Sequence, residues 1–344
     1  MNTVNEKIIE AIIEKANRVC PDSLALIGVY GSVATGDDYE KSDLDLLIFI
    51  EDEAGYKLGT GFILDDSKVG YDIYCTDRQR LRFDAECHHA HLSRLLDAQI
   101  VYVKNQGAYE ELMNFRAQAK AVLSSEDRFQ RVRESVNNAK LAYANACLSD
   151  GLGQVRMEAY EVMLDLLDAV MLYHGTYFKR GTKRTFDELA ALPLESTFAD
   201  TMQKIVRSKD VCELRRLMKQ LILYVEGHTC RAQKKEAPSA GLNGTYEELY
   251  SNWRNKVEEA ASRVDVFSSY MNLCSMYCML KEIGEGVEIG NFGGMEAYRS
   301  DALQENVKLF DACLEKYEGI YGQAGIKVKR FADVDAFVED YLRK

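Results

Sequence analysis

The chain has 344 residues, of which 47% are hydrophobic and 28% charged, and a formal net charge of −12. This length has room for two or three domains and a sizeable core. The acidic balance, with one short basic cluster at Lys179, Arg180, Lys183 and Arg184, argues against a surface that wraps a nucleic acid and suits a cationic small partner. Nine cysteines are scattered without a paired framework, and the N-terminus leads into an amphipathic segment. No apolar run approaches the roughly 20 residues of a membrane span. The expectation is a reduced, cytoplasmic protein with no membrane partner.

In chain order, residues 3–19 read as a helix, because Ile8, Ile9, Ile12, Ile13 and Ala16 share one face. Leu24–Tyr30 and Leu44–Ile50 are apolar, β-branched runs of strand length. Two further strands are expected near 59–64 and 69–75, joined by the turn-rich Asp65-Asp66-Ser67-Lys68. Part of 77–97 reads as helix, and 97–103 as a short strand. Residues 1–107 thus form an expected α/β unit, a mixed sheet flanked by helices, and 108–344 a larger all-α region with a possible sub-boundary in a loop at 229–244. Strong helical periodicity covers 127–148 and 154–174, with further helices expected at 246–262, 266–283, 296–318 and 332–343. Thr185 with Glu188, and Thr245 with Glu248, fit the capping-box pattern.

The chemistry concentrates in Gly31-Ser32-Val33-Ala34-Thr35-Gly36 and, beginning ten residues after Ser32, in Ser42-Asp43-Leu44-Asp45-Leu46. Strand alternation aims Asp43 and Asp45 to one side. Two adjacent carboxylates repel unless a cation lies between them, and magnesium favours such oxygen ligands together with substrate phosphates. The Gly-Ser turn supplies backbone N–H groups and a hydroxyl for phosphate oxygens. Gly31-Ser32 followed by Asp43-Leu44-Asp45, between two strand-like runs, resembles the signature of the polymerase-beta-like nucleotidyltransferase superfamily. More loosely, the segment Leu172–Arg184 resembles the helical part of antibiotic nucleotidyltransferases of the kanamycin type.

The resemblance implies that Gly31 and Ser32 contact a nucleoside triphosphate and that Asp43 and Asp45 hold one or two magnesium ions. Asp72, polar within Val69-Gly70-Tyr71-Asp72-Ile73, is the candidate third carboxylate. Glu158, Glu161, Asp165 and Asp168 recur at i, i+3, i+7 and i+10 and form an acidic helix stripe. By the same resemblance one of them is the base, and we take Glu161. The stripe also suits the ammonium groups of an aminoglycoside. Lys179, Arg180, Lys183 and Arg184, and Lys140, are either triphosphate partners or solvated surface.

Cys87-His88-His89-Ala90-His91 holds three of the five histidines. No second ligand cluster at zinc spacing accompanies it, so it reads as a helix of mixed burial. Cys274 and Cys278 read as core of an apolar helix, and Trp253, Tyr246 and Tyr250 as packing residues. The expected activity is magnesium-dependent transfer of AMP from ATP, or another NTP, to a hydroxyl of a small, aminoglycoside-type antibiotic, releasing pyrophosphate. Nucleotidylation of a protein hydroxyl, and a non-catalytic nucleotide-binding protein, are the rivals. No arginine stands four to six residues before His174 or His228, which argues against a ribonuclease of that motif.

Overall fold

The computed structural model describes residues 3–229 and 241–343. The chain divides into two compact units, Met1–Cys230 and Arg231–Lys344. Most of the loop expected at 229–244, including Lys234-Lys235-Glu236, lies outside the described residues.

In the first unit, α1 (Thr3–Val19) turns Ile9, Ile12 and Ala16 inward, as its periodicity requires. The sheet is built from β1 (Leu24–Tyr30), β2 (Asp45–Ile50), β5 (Cys75–Thr76) and β6 (Gln99–Val103), in the order β5-β2-β1-β6. β1 runs antiparallel to β2 and β6, and β2 parallel to β5, so the sheet is mixed. A separate hairpin joins β3 (Thr60–Leu64) to β4 (Val69–Ile73). Nearly every residue of β1 and β2 is buried, because both sheet faces are covered. Ile27, Val29, Leu46, Ile48 and Ile50 pack toward α1, whereas Leu26, Leu47 and Phe49 pack toward the helices that follow.

Those helices are α3 (Arg78–Ala85), α4 (Ser93–Leu96), α5 (Gln106–Ser124), α6 (Arg128–Leu148), α7 (Leu152–Tyr173), α8 (Thr185–Leu189), α9 (Ser196–Arg207) and α10 (Val211–Thr229); α2 is the short turn Gly31–Thr35 between β1 and β2. One apolar cluster runs without a break from Leu26, Leu47 and Phe49 through Leu112 and Val136 to Leu166 and Leu217. The six helices α5 to α10 thus share a core with the sheet.

The second unit contains α11 (Thr245–Leu249), α12 (Asn255–Ser262), α13 (Val266–Gly286), α14 (Leu303–Gln323) and α15 (Val334–Leu342). Its core gathers Leu249, Val257, Leu273, Met276, Phe310, Tyr317 and Tyr321.

Several expectations need correction. The helix expected over 246–262 is interrupted by a π-helical turn, Tyr250–Arg254, which carries Trp253. Cys278 is exposed and Cys274 half-buried, so neither is core. The expected capping boxes do not form. Thr245 Oγ1 donates to the Leu242 carbonyl and shares hydrogen bonds with the Tyr317 and Tyr321 hydroxyls, and Glu188 receives the backbone N–H groups of Lys179 and Arg180 instead of reaching back to its own helix start. In both cases a tertiary partner outcompetes the local cap. The Cys87–His91 segment is a turn beyond the end of α3, with Cys87 at φ 53°, not a helix.

Candidate functional site

β1 delivers Tyr30 opposite Asp45 at the open end of the β1–β2 ladder. The chain then turns sharply: Gly31 has φ 70° and Gly36 φ 73°, the left-handed region that glycine enters without strain. The turn is closed locally. Thr35 Oγ1 donates to the carbonyls of Gly31 and Ser32 at 3.1 and 3.2 Å, and Asp37 N–H donates to Ser32 O at 3.0 Å. Gln99 of β6 fastens the turn through Ala34 O at 3.3 Å.

Gly31 is required for a second reason. A Cβ at this position would lie 1.9 Å from Asp45 Oδ2. The main chain of the turn therefore lies directly against the carboxylate, at a distance no other residue permits. Asp45 is the first residue of β2, whereas Asp43 stands two residues ahead of it in the extended lead-in and is exposed. The buried Leu44 between them fixes the alternation, so both carboxylates leave the chain on the same side. Ser42 Oγ accepts from Tyr39 N at 3.0 Å and shapes the approach.

Electrostatics agrees with this placement. Burial, then the neighbouring Asp43, push the Asp45 carboxyl up to about 6. Tyr30 is pushed up to about 12 by burial and by Asp45, and it also feels Arg94, Asp84 and Asp43. Tyr71 is raised by burial and by Asp43. The acidic pair therefore lies between Tyr30 on one side and the β3–β4 hairpin on the other.

Asp72, on β4, is exposed, while its neighbours Tyr71 and Ile73 face the core. Asp72 belongs to the β3–β4 hairpin, a different sheet from the one that carries Asp45. Among the described residues no group of three His, Cys, Asp or Glu side chains is assembled as a metal cage. The donor set does fit a divalent cation bound partly by substrate oxygens: two neighbouring carboxylates, one raised by burial and then by the other, against a glycine main chain.

From Tyr30 the site continues toward a buried polar cluster. Asp84 is fully buried and receives Arg94 at 2.7 Å and His89 at 3.2 Å. Burial alone would raise it, but His89 and Arg94 hold its carboxyl below the ordinary range. His89 leads on to His91, whose ring stacks on Phe178 at 5.1 Å and whose Nε2 is 4.0 Å from Asp168. Asp168 also accepts from Ala90 N at 2.8 Å.

Asp168 ends the acidic stripe on α7. Asp165, one turn back, is pushed up to about 6 by burial and by Asp168 and Glu161. Glu161 is exposed, and Glu158 is engaged by Gln154 at 2.8 Å. Glu161 is thus the exposed member of the stripe, and Glu158, Asp165 and Asp168 are half-buried.

Sequence reasoning missed Tyr30, Asp84, Arg94 and the pairing of His174 with His228, whose Nε2 atoms are 3.0 Å apart. Only Tyr30, adjacent to the glycine turn, carried a local signal. Lys140 is tied to Glu226 of α10. The basic cluster is folded against the loop after the glycine turn: Arg180 and Arg184 reach Asp37 at 3.1 and 3.2 Å.

Residues 6–102 match the family model of the nucleotidyltransferase domain. The match places a nucleotidyltransferase domain in the N-terminal part of the chain and supports nucleotidyl transfer in general. No curated protein matches the chain. A crystal structure of a nucleotidyltransferase-like protein from Exiguobacterium sibiricum 255-15 is similar over 81% of this chain and 89% of its own, at 12% identity and a TM-score of 0.37, too low for any feature to be transferred.

Proposed function

We propose that this protein transfers a nucleoside monophosphate, AMP by preference, from a magnesium-bound NTP to a hydroxyl of a small cationic acceptor of aminoglycoside type. The observation that carries the reading is the contact between the Gly31 main chain and Asp45 Oδ2, where a Cβ would be only 1.9 Å away. A carboxylate pressed against a glycine turn, and raised by burial and by a second carboxylate, would gain from a divalent cation beside it.

In this reading Asp43 and Asp45 would hold the magnesium, with Asp72 of the hairpin as the candidate third carboxylate. Gly31 and Ser32 contact the triphosphate. Magnesium bound there supplies polarisation of the α-phosphate and neutralises charge on the departing pyrophosphate. The acceptor hydroxyl gives its proton to a carboxylate of α7. Glu161 is the choice from sequence, and Asp165 one turn away competes for the role. Its half-buried position and a carboxyl raised to about 6 favour Asp165, because a base near neutral pKa accepts a proton at least driving cost. Glu161 then adds negative charge that suits an ammonium-bearing acceptor.

The test is pyrophosphate release from each NTP with magnesium, alone and with a panel of aminoglycosides and related antibiotics. Release with one panel member, absent in Asp45→Asn, supports the reading. Labelling of a protein by the nucleotide would instead move the acceptor to a protein hydroxyl, and nucleotide binding with neither outcome would make this a binding protein.

A further inference from the structure

The cations after α7 are engaged by one acidic residue. Arg180 Nε is 3.1 Å from Asp37 Oδ2, and Arg184 Nη2 is 3.2 Å from Asp37 Oδ1. Lys183 Nζ donates to the Asp37 carbonyl at 2.7 Å and stands 5.7 Å above the Tyr39 ring. Arg184 has a second partner in Asp187 at 3.2 Å. Glu188 accepts the main-chain N–H groups of Lys179 and Arg180 at 2.9 and 3.0 Å and so shapes the loop that presents these side chains.

Asp37 occupies a pivotal place in the chain. Its N–H closes the glycine turn on Ser32 O, and six residues later comes Asp43. The cations that gather on it therefore stand beside the segment that joins the phosphate turn to the metal carboxylates. The pairing is incomplete. Asp37 Oδ2 and Arg184 Nε are both shielded from solvent and, among the described residues, neither makes a hydrogen bond. Arg180 Nε faces Asp37 Oδ2 as an ion pair without hydrogen-bond alignment. Two guanidinium groups share one carboxylate, with Asp187 taking part of Arg184, while Lys183 is held by the main-chain carbonyl of the same residue. A single carboxylate cannot fill two guanidinium forks, whereas a chain of phosphates offers the oxygens and charge to do so.

We propose that Asp37 is a stand-in anion: it holds Arg180 and Arg184 until a polyphosphate displaces it, and its displacement frees the loop at 36–42. This rests on the nucleotide site proposed above and adds an internal competitor to it. The arginines exchange one shared carboxylate for phosphate oxygens, and Asp37 turns to solvent. A ligand of one phosphate is too small to repay the lost ion pairs, so the device selects for a triphosphate or pyrophosphate. Asp37 is a positioning residue, since it acts through the arginines.

Calorimetric titration of the full chain with inorganic tripolyphosphate, pyrophosphate and orthophosphate tests this. Asp37→Asn should bind tripolyphosphate about tenfold more tightly than the unaltered protein, the effect of releasing a charge-assisted contact. Arg180→Ala and Arg184→Ala should weaken it by a similar factor, and orthophosphate should bind none of the four. Asp37→Ser, which keeps a polar side chain, serves as the second variant if Asp37→Asn melts early. Tripolyphosphate affinity that is unchanged or weaker in both Asp37 variants overturns the proposal, because Asp37 then only braces its loop. If the unaltered protein binds neither tripolyphosphate nor magnesium–ATP, the nucleotide site itself fails, and this inference with it.

Discussion

The first unit carries two sets of carboxylates that look alike on paper. Asp43 and Asp45 lead into β2, and Glu161, Asp165 and Asp168 line α7. In each set one aspartate is raised to about 6 by burial and a like charge. Their supports differ. Asp45 Oδ2 is packed against the Gly31 main chain, whereas Asp168 is tied to Ala90 N–H and faced by His91. Repulsion from a like charge is thus common to both, and in the proposed reading it is the first set in which a cation and phosphate would relieve it. A raised carboxyl marks a site only when its surroundings leave it something to bind.

The strongest way to break this comparison is Asp45→Asn. Turnover should fall at least about a thousandfold, since a metal-holding charge is lost. The folded protein should become more stable at neutral pH. The sign follows from the folded pKa near 6 lying above the ordinary 3.8. Ionised Asp45 costs stability above pH 6, and that cost is absent below about pH 4. The stability advantage of the variant should therefore open between pH 4 and 6 and stay constant above, as read by urea unfolding at pH 4, 5, 6 and 8. An advantage that is the same at pH 4 and 8 would refute the electrostatic account.

Next in size is Gly31→Ala. The methyl group must displace Asp45 and occupy a left-handed backbone, so unfolding free energy should drop by more than about 1 kcal/mol, and metal-dependent activity should go with it. Gly70→Ala, where a Cβ meets nothing, is the control.

Asp165→Asn and Glu161→Gln sharpen the second set. If Asp165 takes the acceptor proton, its loss should lower kcat about a hundredfold and shift the acid limb of the pH–rate profile, while Glu161→Gln should raise KM for a cationic acceptor and leave kcat within about threefold. A larger kcat loss in Glu161→Gln would return the base to the residue chosen from sequence.

The smallest effect is expected at Asp168. Asp168→Asn keeps an acceptor for Ala90 N–H and should change stability by less than about 0.5 kcal/mol, whereas Asp168→Ala leaves that donor unpaired and should cost about 1–2 kcal/mol. Thermal melts of the pair measure the difference.

Much of this was legible in the chain itself. Alternation and apolar runs placed β1, β2 and the hairpin, and helical periodicity placed α1, α6 and α7, because local pattern decides elements whose faces are unambiguous. The Gly31-Ser32 and Asp43-Leu44-Asp45 spacing located the acidic pair, since a turn and a strand of two-residue period leave little freedom between them. Where distant partners compete with local preference, the pattern misled. Thr185 and Thr245 did not cap, the histidine segment did not stay helical, and the π-turn at Trp253 had no local sign. Asp84 with Arg94 and His89, and Asp37 with Arg180 and Arg184, were invisible for the same reason. Residues 10 or 147 positions apart meet only when the sheet and helices have packed.

The order of residues alone therefore determined the glycine turn, the carboxylate pair and the elements that hold them, through steric and alternation rules that act over a few residues. Packing decided how close Gly31 comes to Asp45, which acid of α7 is drawn into the protein, and which anion the basic loop holds. Burial and charge proximity are sums over the whole fold, and no short stretch of chain contains them.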